Sequence, residues 1–139
     1  MEAIMTGKGG DALNGIGFGT WAWGNQLLWG YDPERDDRLL EETFRQALAS
    51  GLGLIDTADS YGTGRLNGRS EQLLGRFAAR LPATRRADLC IATKLAPYPW
   101  RLGRRGLDQA LQASRQRLQG HLRRVQLHWS TSKGWMARS

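Results

Sequence analysis

Four short apolar runs recur along the chain at a near-constant interval. They are Gly15–Trp21 (GIGFGTW), Leu52–Thr57 (LGLIDT), Leu89–Thr93 (LCIAT) and Arg124–Trp129 (RVQLHW), centred near 18, 55, 91 and 126. Each is continuously apolar rather than alternating, the pattern of strands covered on both faces, as parallel strands are. The stretches between them carry helical periodicity. Asp32-Pro33 predicts an N-cap with proline in the first turn, followed by one apolar face of Leu39, Leu40, Phe44, Ala47 and Leu48. Leu73, Leu74, Phe77, Ala78 and Leu81 repeat that face, and Leu107, Ala110, Leu111, Ser114 and Leu118 form a third. Gly51, Pro82 and Gly120 mark the helix ends.

The predicted order is β-α-β-α-β-α-β, an α/β fold that is either a doubly wound sheet or a (β/α) barrel. A doubly wound dinucleotide fold needs G-x-G-x-x-G opening a helix directly after a strand. Gly15, Gly17 and Gly19 approach it, but position 22 is Ala and no helical pattern follows at once. Gly68-Arg69-Ser70 lacks the lysine of a phosphate loop, and Thr63 stands where that loop needs glycine. The expected fold is therefore a partial (β/α)8 TIM barrel. A complete barrel takes about 250 residues. These 139, read as one domain over 1–139, supply about the first four strands and three helices.

Composition narrows the class. At 40% hydrophobic and 24% charged the chain can bury a core. No run approaches the ~18 apolar residues of a membrane span. The start, MEAIMTGKGGDALNG, has no apolar segment of the signal-peptide kind. Cys90 is the sole cysteine and there are two histidines, so neither an internal disulfide nor a structural metal is expected. A soluble protein of a reducing compartment, the cytoplasm, is the expectation. Charge is uneven: residues 1–70 hold 10 acidic and 6 basic side chains, residues 71–139 hold 3 and 14. A basic half can mark a nucleic-acid surface. Here the basic residues, 17 of 20 of them Arg, are scattered through helical stretches without a run of like charge. A solvated surface is the favoured reading, and a basic nucleic-acid-binding module is the weaker alternative.

In a (β/α) barrel the chemistry sits where the strands end. Asp56, Lys94 and His128 stand at or near the ends of the second, third and fourth strands. Singly, each has a structural explanation: a helix cap, a solvated lysine, a satisfied core histidine. Together, at matching positions of successive βα units, they point to a site. Tyr61 follows Asp56 by five residues, in DTADSYGTG. A lysine cation beside the phenol favours the phenolate and makes Tyr61 a general acid. Asp56 would hold Lys94 charged and oriented, and His128 would orient a carbonyl oxygen. The set lacks a nucleophile paired with a base, so acyl transfer is poorly supported. A polarised carbonyl beside a proton donor suits reduction, with hydride from a cofactor.

These residues lie in text that closely resembles the N-terminal half of an aldo-keto reductase. The matching segments are Gly17-Phe18-Gly19-Thr20-Trp21, Ile55-Asp56-Thr57-Ala58-Asp59-Ser60-Tyr61-Gly62, Arg69-Ser70-Glu71-Gln72-Leu73-Leu74-Gly75, Ala92-Thr93-Lys94 and Gln126-Leu127-His128-Trp129. The resemblance runs over about 15–130 and implies NADPH-dependent reduction of an aldehyde or ketone to an alcohol. It implies Tyr61 as proton donor, Lys94 and Asp56 as the pair that tunes it, and His128 as the residue orienting the carbonyl. It also implies Gly19, Thr20, Trp21 and Asp56 beside the cofactor, with Trp29 and Trp129 lining the substrate pocket. The later strands, which in the family bind most of the cofactor, have no counterpart here. After His128-Trp129 the text becomes STSKGWMARS, and the segment before the first strand is short. A half-barrel would expose two strand edges and an apolar inner face. The expected partners are a small carbonyl substrate and either a second copy or a separate C-terminal half. The alternative function is a non-catalytic truncated fragment.

Overall fold

Parallel strands and helices alternate as the repeat predicts. In chain order they are β1 (Gly17–Gly19), the one-turn α1 (Gln26–Trp29), α2 (Pro33–Ala49), β2 (Leu54–Asp56), a 3-10 turn (Gly64–Leu66), α3 (Arg69–Ala79), the short α4 (Ala83–Arg86), β3 (Cys90–Leu95), α5 (Gly103–Arg117) and β4 (Leu122–Leu127). This computed structural model describes residues 15–101 and 103–129. The segment before the first strand and the tail after Trp129, both singled out above, lie outside the described residues. The strands form one sheet in the order β1-β2-β3-β4, every neighbouring pair parallel. Parallel strands in sequence order with helical crossovers are one sector of an α/β barrel.

Local chemistry explains the main boundaries. The Asp32 carboxylate accepts from the N–H groups of Glu34 (2.8 Å) and Arg35 (3.3 Å), and Pro33 fills the first turn of α2. At the other end the Leu52 N–H returns to the Ala47 carbonyl at 3.0 Å across Gly51. The apolar runs overstate the strands: β1 and β2 are three residues each. β4 starts at Leu122, two residues earlier than the run, and ends at Leu127, so His128 and Trp129 follow the strand. Leu39 is 58% exposed, off the buried face of α2, and Leu81 lies beyond the end of α3. Elements of four residues, α1 and α4, are too short to leave a periodic signal.

The core lies between sheet and helices. Phe44 and Leu48 of α2, Leu73, Leu74 and Phe77 of α3, and Leu118 meet Ile55 and Ile91 of the sheet, with Trp23 and Tyr31 at the margin. Each fully buried ring or branched chain contributes about 1.5–3 kcal/mol. Not every strand is covered on both faces, as the apolar runs suggested. β4 is exposed from Arg123 through Leu127, because it has a strand neighbour on one side only and no helix of the described chain follows it.

Strand alternation sorts the two faces of the sheet. Thr93 faces the helices, where its hydroxyl donates to Glu71 Oε1 at 2.5 Å. Its neighbours in β3, Ala92 and Lys94, therefore face the concave side. Gly19, Asp56, Ala92 and Arg124 share one register row across that side, with Lys94 and Gln126 in the next. The expected apolar inner face is thus corrected: in these rows it is small and polar, because the chemistry occupies its inward positions.

A buried ion pair ties the layers together. Glu71, fully buried in the first turn of α3, accepts from Arg117 Nε at 2.7 Å and from Thr93, linking α3, α5 and β3. Gly75, one turn further along α3, lets the backbone that follows α5 approach so closely that a Cβ would lie 2.9 Å from the Leu118 backbone and nearer still to the Arg117 carbonyl. Gly75→Ala should therefore destabilise the fold by about 1–3 kcal/mol through overpacking, against the better helix propensity of alanine. Urea unfolding of the two chains measures the difference.

Candidate active site

Lys94 is the hub of the strand-end cluster. Its side chain is 17% exposed, against 46% for Asp56. The ammonium donates to Asp56 Oδ2 at 2.5 Å, to the Thr57 carbonyl at 3.2 Å and to Tyr61 Oη at 3.5 Å. Its nitrogen also stands 5.4 Å from the Tyr61 ring centroid. His128 is anchored by its backbone N–H, which donates to the Leu95 carbonyl at 3.0 Å and continues the β3–β4 ladder. Its Nδ1 lies 3.3 Å from Ser60 Oγ, and its ring meets the Tyr61 ring edge-on at 5.6 Å. The structure thus brings Asp56, Tyr61, Lys94 and His128 together. Burial, then repulsion from Lys94, pushes the His128 imidazole below its ordinary range, partly offset by Asp59 and Asp56. At neutral pH the ring is therefore uncharged and carries one N–H.

Three anchors below the cluster hold the loop that carries Tyr61. The Thr57 and Asp59 N–H groups donate to the Ala92 and Lys94 carbonyls at 2.9 and 3.0 Å, extending the sheet pairing past the end of β2. The hydroxyls of Thr57, Ser70 and Thr20 form a buried chain, 3.0 Å from Thr57 to Ser70 and 2.7 Å from Ser70 to Thr20. Thr20 also donates to the Asp56 carbonyl at 3.1 Å. Gly62, at φ +116°, completes the bend with Gly68 N–H on the Tyr61 carbonyl at 3.0 Å, and a Cβ there would strike the Leu66 carbonyl.

The third anchor escaped sequence reasoning. Asp59 has a fully buried side chain; it accepts from the Ala96 N–H at 3.1 Å and from Arg101 Nη1 at 2.5 Å. Arg101 also donates to the Ala96 carbonyl at 2.6 Å and lies over the Tyr98 ring. Asp59 sits in the motif that carries Tyr61, but its partner is 42 residues away, beyond any local pattern. Ser60, Ser70 and Glu71 were legible only as matching text, without a role.

Of the remaining expected residues, Gly19 and Thr20 lie at the end of β1 and the three tryptophans fall into two aromatic groups. Gly19 faces open space, with nothing within 4 Å of a Cβ built on it. Thr20 is enclosed, its hydroxyl spent on the network above. Trp21 and Trp29, both more than half exposed, meet edge-on at 6.0 Å. Trp129, 45% exposed, packs on His128 and edge-on against Tyr98 at 5.8 Å, and Tyr98 stacks on Trp100 at 4.5 Å.

The strand ends of this barrel sector thus gather Asp56, Tyr61, Lys94 and His128 in one place. Comparison with known proteins identifies the family: the family model "Aldo/keto reductase family" matches residues 15–133. The chain belongs to the aldo/keto reductase family. It is 52% identical over 124 residues to a chloroplastic pyridoxal reductase of Arabidopsis thaliana, a match covering 87% of this chain and 34% of that protein. It is 33% identical over 94 residues to an NADH-specific methylglyoxal reductase of Escherichia coli, covering 68% of this chain and 26% of that one. A crystal structure of the thermostable aldo-keto reductase Tm1743 with the inhibitor epalrestat superposes with a TM-score of 0.69 at 27% identity, covering 96% of this chain and 45% of that one. The chain therefore spans about a third of the length of the pyridoxal reductase it matches. Among the described residues no helix is long and apolar enough to cross a membrane.

Asp59→Ala should cost about 3–5 kcal/mol, since it strands the Arg101 guanidinium and the Ala96 N–H. Asp59→Asn should cost less, because its amide oxygen still accepts from Ala96. Urea unfolding of both variants checks the order, and equal losses would contradict the clamp.

Proposed function

We propose that this chain is the proton-donating half of an NADPH-dependent reductase that converts an aldehyde or ketone to an alcohol. The observation that carries the reading is Tyr61 Oη at 3.5 Å from an ammonium that Asp56 already holds. The concave face suits a nicotinamide: Gly19, beside Asp56 in the sheet, faces open space, and Trp21 stands exposed nearby in the chain. The chemistry a nicotinamide held there would supply is hydride to the carbonyl carbon. Tyr61 gives its proton to the carbonyl oxygen, and Lys94 stabilises the phenolate that remains. Asp56 holds the Lys94 ammonium in place. With Ser60 donating to Nδ1, His128 presents Nε2–H to the carbonyl oxygen and turns it toward Tyr61. A neutral imidazole suits that task, because a cation there would add to the charge of Lys94.

The substrate class we favour is a planar aromatic aldehyde. Trp129 lies against His128 and continues through Tyr98 to Trp100, a run of flat surfaces next to the carbonyl position. The pyridoxal reductase named above accords with that preference. NADPH rather than NADH is inherited from the resemblance, and the NADH-specific relative makes it a point for direct comparison. Cytoplasmic residence stays part of the proposal, resting on composition. The exposed β4 favours one addition: the chain acts together with the rest of a barrel, supplied by a second copy or a separate C-terminal half.

The test joins this chain to the remaining barrel half of the pyridoxal reductase and follows NADPH oxidation with pyridoxal. Tyr61→Phe should lower the rate about 10²–10⁴-fold while leaving NADPH binding intact. A Tyr61→Phe chain as fast as the parent would overturn the assignment.

A further inference from the structure

A recess lies at the opposite end of the sheet from the catalytic cluster. It has a volume of about 380 Å³ and is lined by Arg86 of α4, by Gly120, His121, Leu122 and Arg123 around the start of β4, and by Leu89 before β3. Because β4 is six residues long, this recess stands roughly 20 Å from His128. Its walls are fixed by backbone. The Leu89 N–H donates to the Arg86 carbonyl at 3.1 Å, pinning α4 to the start of β3. The His121 N–H donates to the Leu118 carbonyl at 2.9 Å, and Gly120 turns the chain at φ +79°.

The charge balance of this recess is one-sided. No carboxylate is among its lining residues. Among the described residues, neither Arg86 nor Arg123 makes a salt bridge or a side-chain hydrogen bond, a state shared by other surface arginines such as Arg65 and Arg105, but these two line one recess together with His121. Among the described residues, two unpaired guanidiniums and an imidazole thus share one cavity with no counter-charge, and a tetrahedral oxyanion is the ligand that meets guanidinium forks best. We propose that this recess binds a small phosphate-type oxyanion, held by Arg86 and Arg123 with His121 as the third contact.

The site does not depend on the reductase reading. His121 reports on it: burial first, and the Arg86 charge second, hold its imidazole below the ordinary range. Arg85 on α4 and Arg124 on β4 add positive charge to the same elements, and Asp88, between α4 and β3, is not among the lining residues. A bound anion offsets the repulsion from Arg86 and favours the imidazolium. By linkage, anion affinity must then rise as pH falls through the His121 titration.

The test is an NMR titration of both histidine rings in the 139-residue chain, in sulfate against chloride at equal ionic strength. Sulfate keeps its charge across the range and so isolates the histidine. His121 should titrate higher in sulfate while His128 stays put. Sulfate should bind about tenfold more tightly below the His121 transition than above it for each unit the anion moves the ring. Inorganic phosphate should displace the sulfate. Arg86→Gln and Arg123→Gln should each abolish the sulfate response, Arg86→Gln should raise His121 even in chloride, and Arg105→Gln, on the exposed face of α5, should change nothing. Equal movement of both histidines, an Arg105→Gln loss matching the others, or displacement by a single-stranded oligonucleotide but not by phosphate would each overturn the site.

Discussion

An ammonium group drawn into a sheet must find a carboxylate, and the Lys94–Asp56 pair is the constraint on which the rest of this molecule turns. Removing the Lys94 charge from water costs several kcal/mol unless its donors are satisfied. Two of the three are spent on the Asp56 carboxylate and the Thr57 carbonyl, and the third is left for Tyr61. The same requirement places β2 beside β3 in a register that sets Asp56 one row below Lys94 on the concave face. It also accounts for the polarity of that face. Gly19, in the same row as Asp56, faces open space beside the pair, while Ala92 is covered.

The layers behind the site serve this placement. Glu71 and Arg117 form a second buried ion pair on the helix side of β3, satisfied by Thr93. Thr93 and Lys94 are adjacent in sequence and point to opposite faces, so β3 is held from both sides. The Asp59–Arg101 clamp fixes the loop after β2 to the loop after β3, and the hydroxyl chain of Thr20, Ser70 and Thr57 closes the gap beneath. A loop this heavily tied is a positioning device for Tyr61 and Ser60. By contrast β4, which carries His128 at its end, has one strand neighbour among the described residues and an exposed length, so the imidazole rests on its backbone tie to Leu95 and on its neighbours Ser60, Tyr61 and Trp129.

Periodicity was enough to read the alternation of parallel strands and helices, and the failed glycine motifs at Gly15–Gly19 and Gly68 turned it from a doubly wound sheet to a barrel. Continuous apolar runs some 36 residues apart specify parallel strands with helical crossovers, and the capping dipeptide Asp32-Pro33 marked a helix start that the structure reproduces. Strand lengths were not legible, because a residue such as Leu89 is apolar for core packing outside the ladder. The four strand-end residues were visible as a constellation because a barrel sends strand ends to one place. Asp59, Arg101 and Glu71 were not, since a buried charge is recognised by its partner and each partner lies more than 40 residues away or, for Thr93, on another layer. The polar character of the concave face was misjudged from the apolar runs, in which inward and outward positions are indistinguishable until the register is known.

The most direct test of the central claim is the pH titration of the His128 ring by NMR, in the parent chain and in Lys94→Met. If the Lys94 cation faces the site as described, His128 titrates below the ordinary imidazole value of about 6.5, and removal of the lysine charge raises it. A His128 that titrates at or above that value, and does not move in Lys94→Met, would contradict the account.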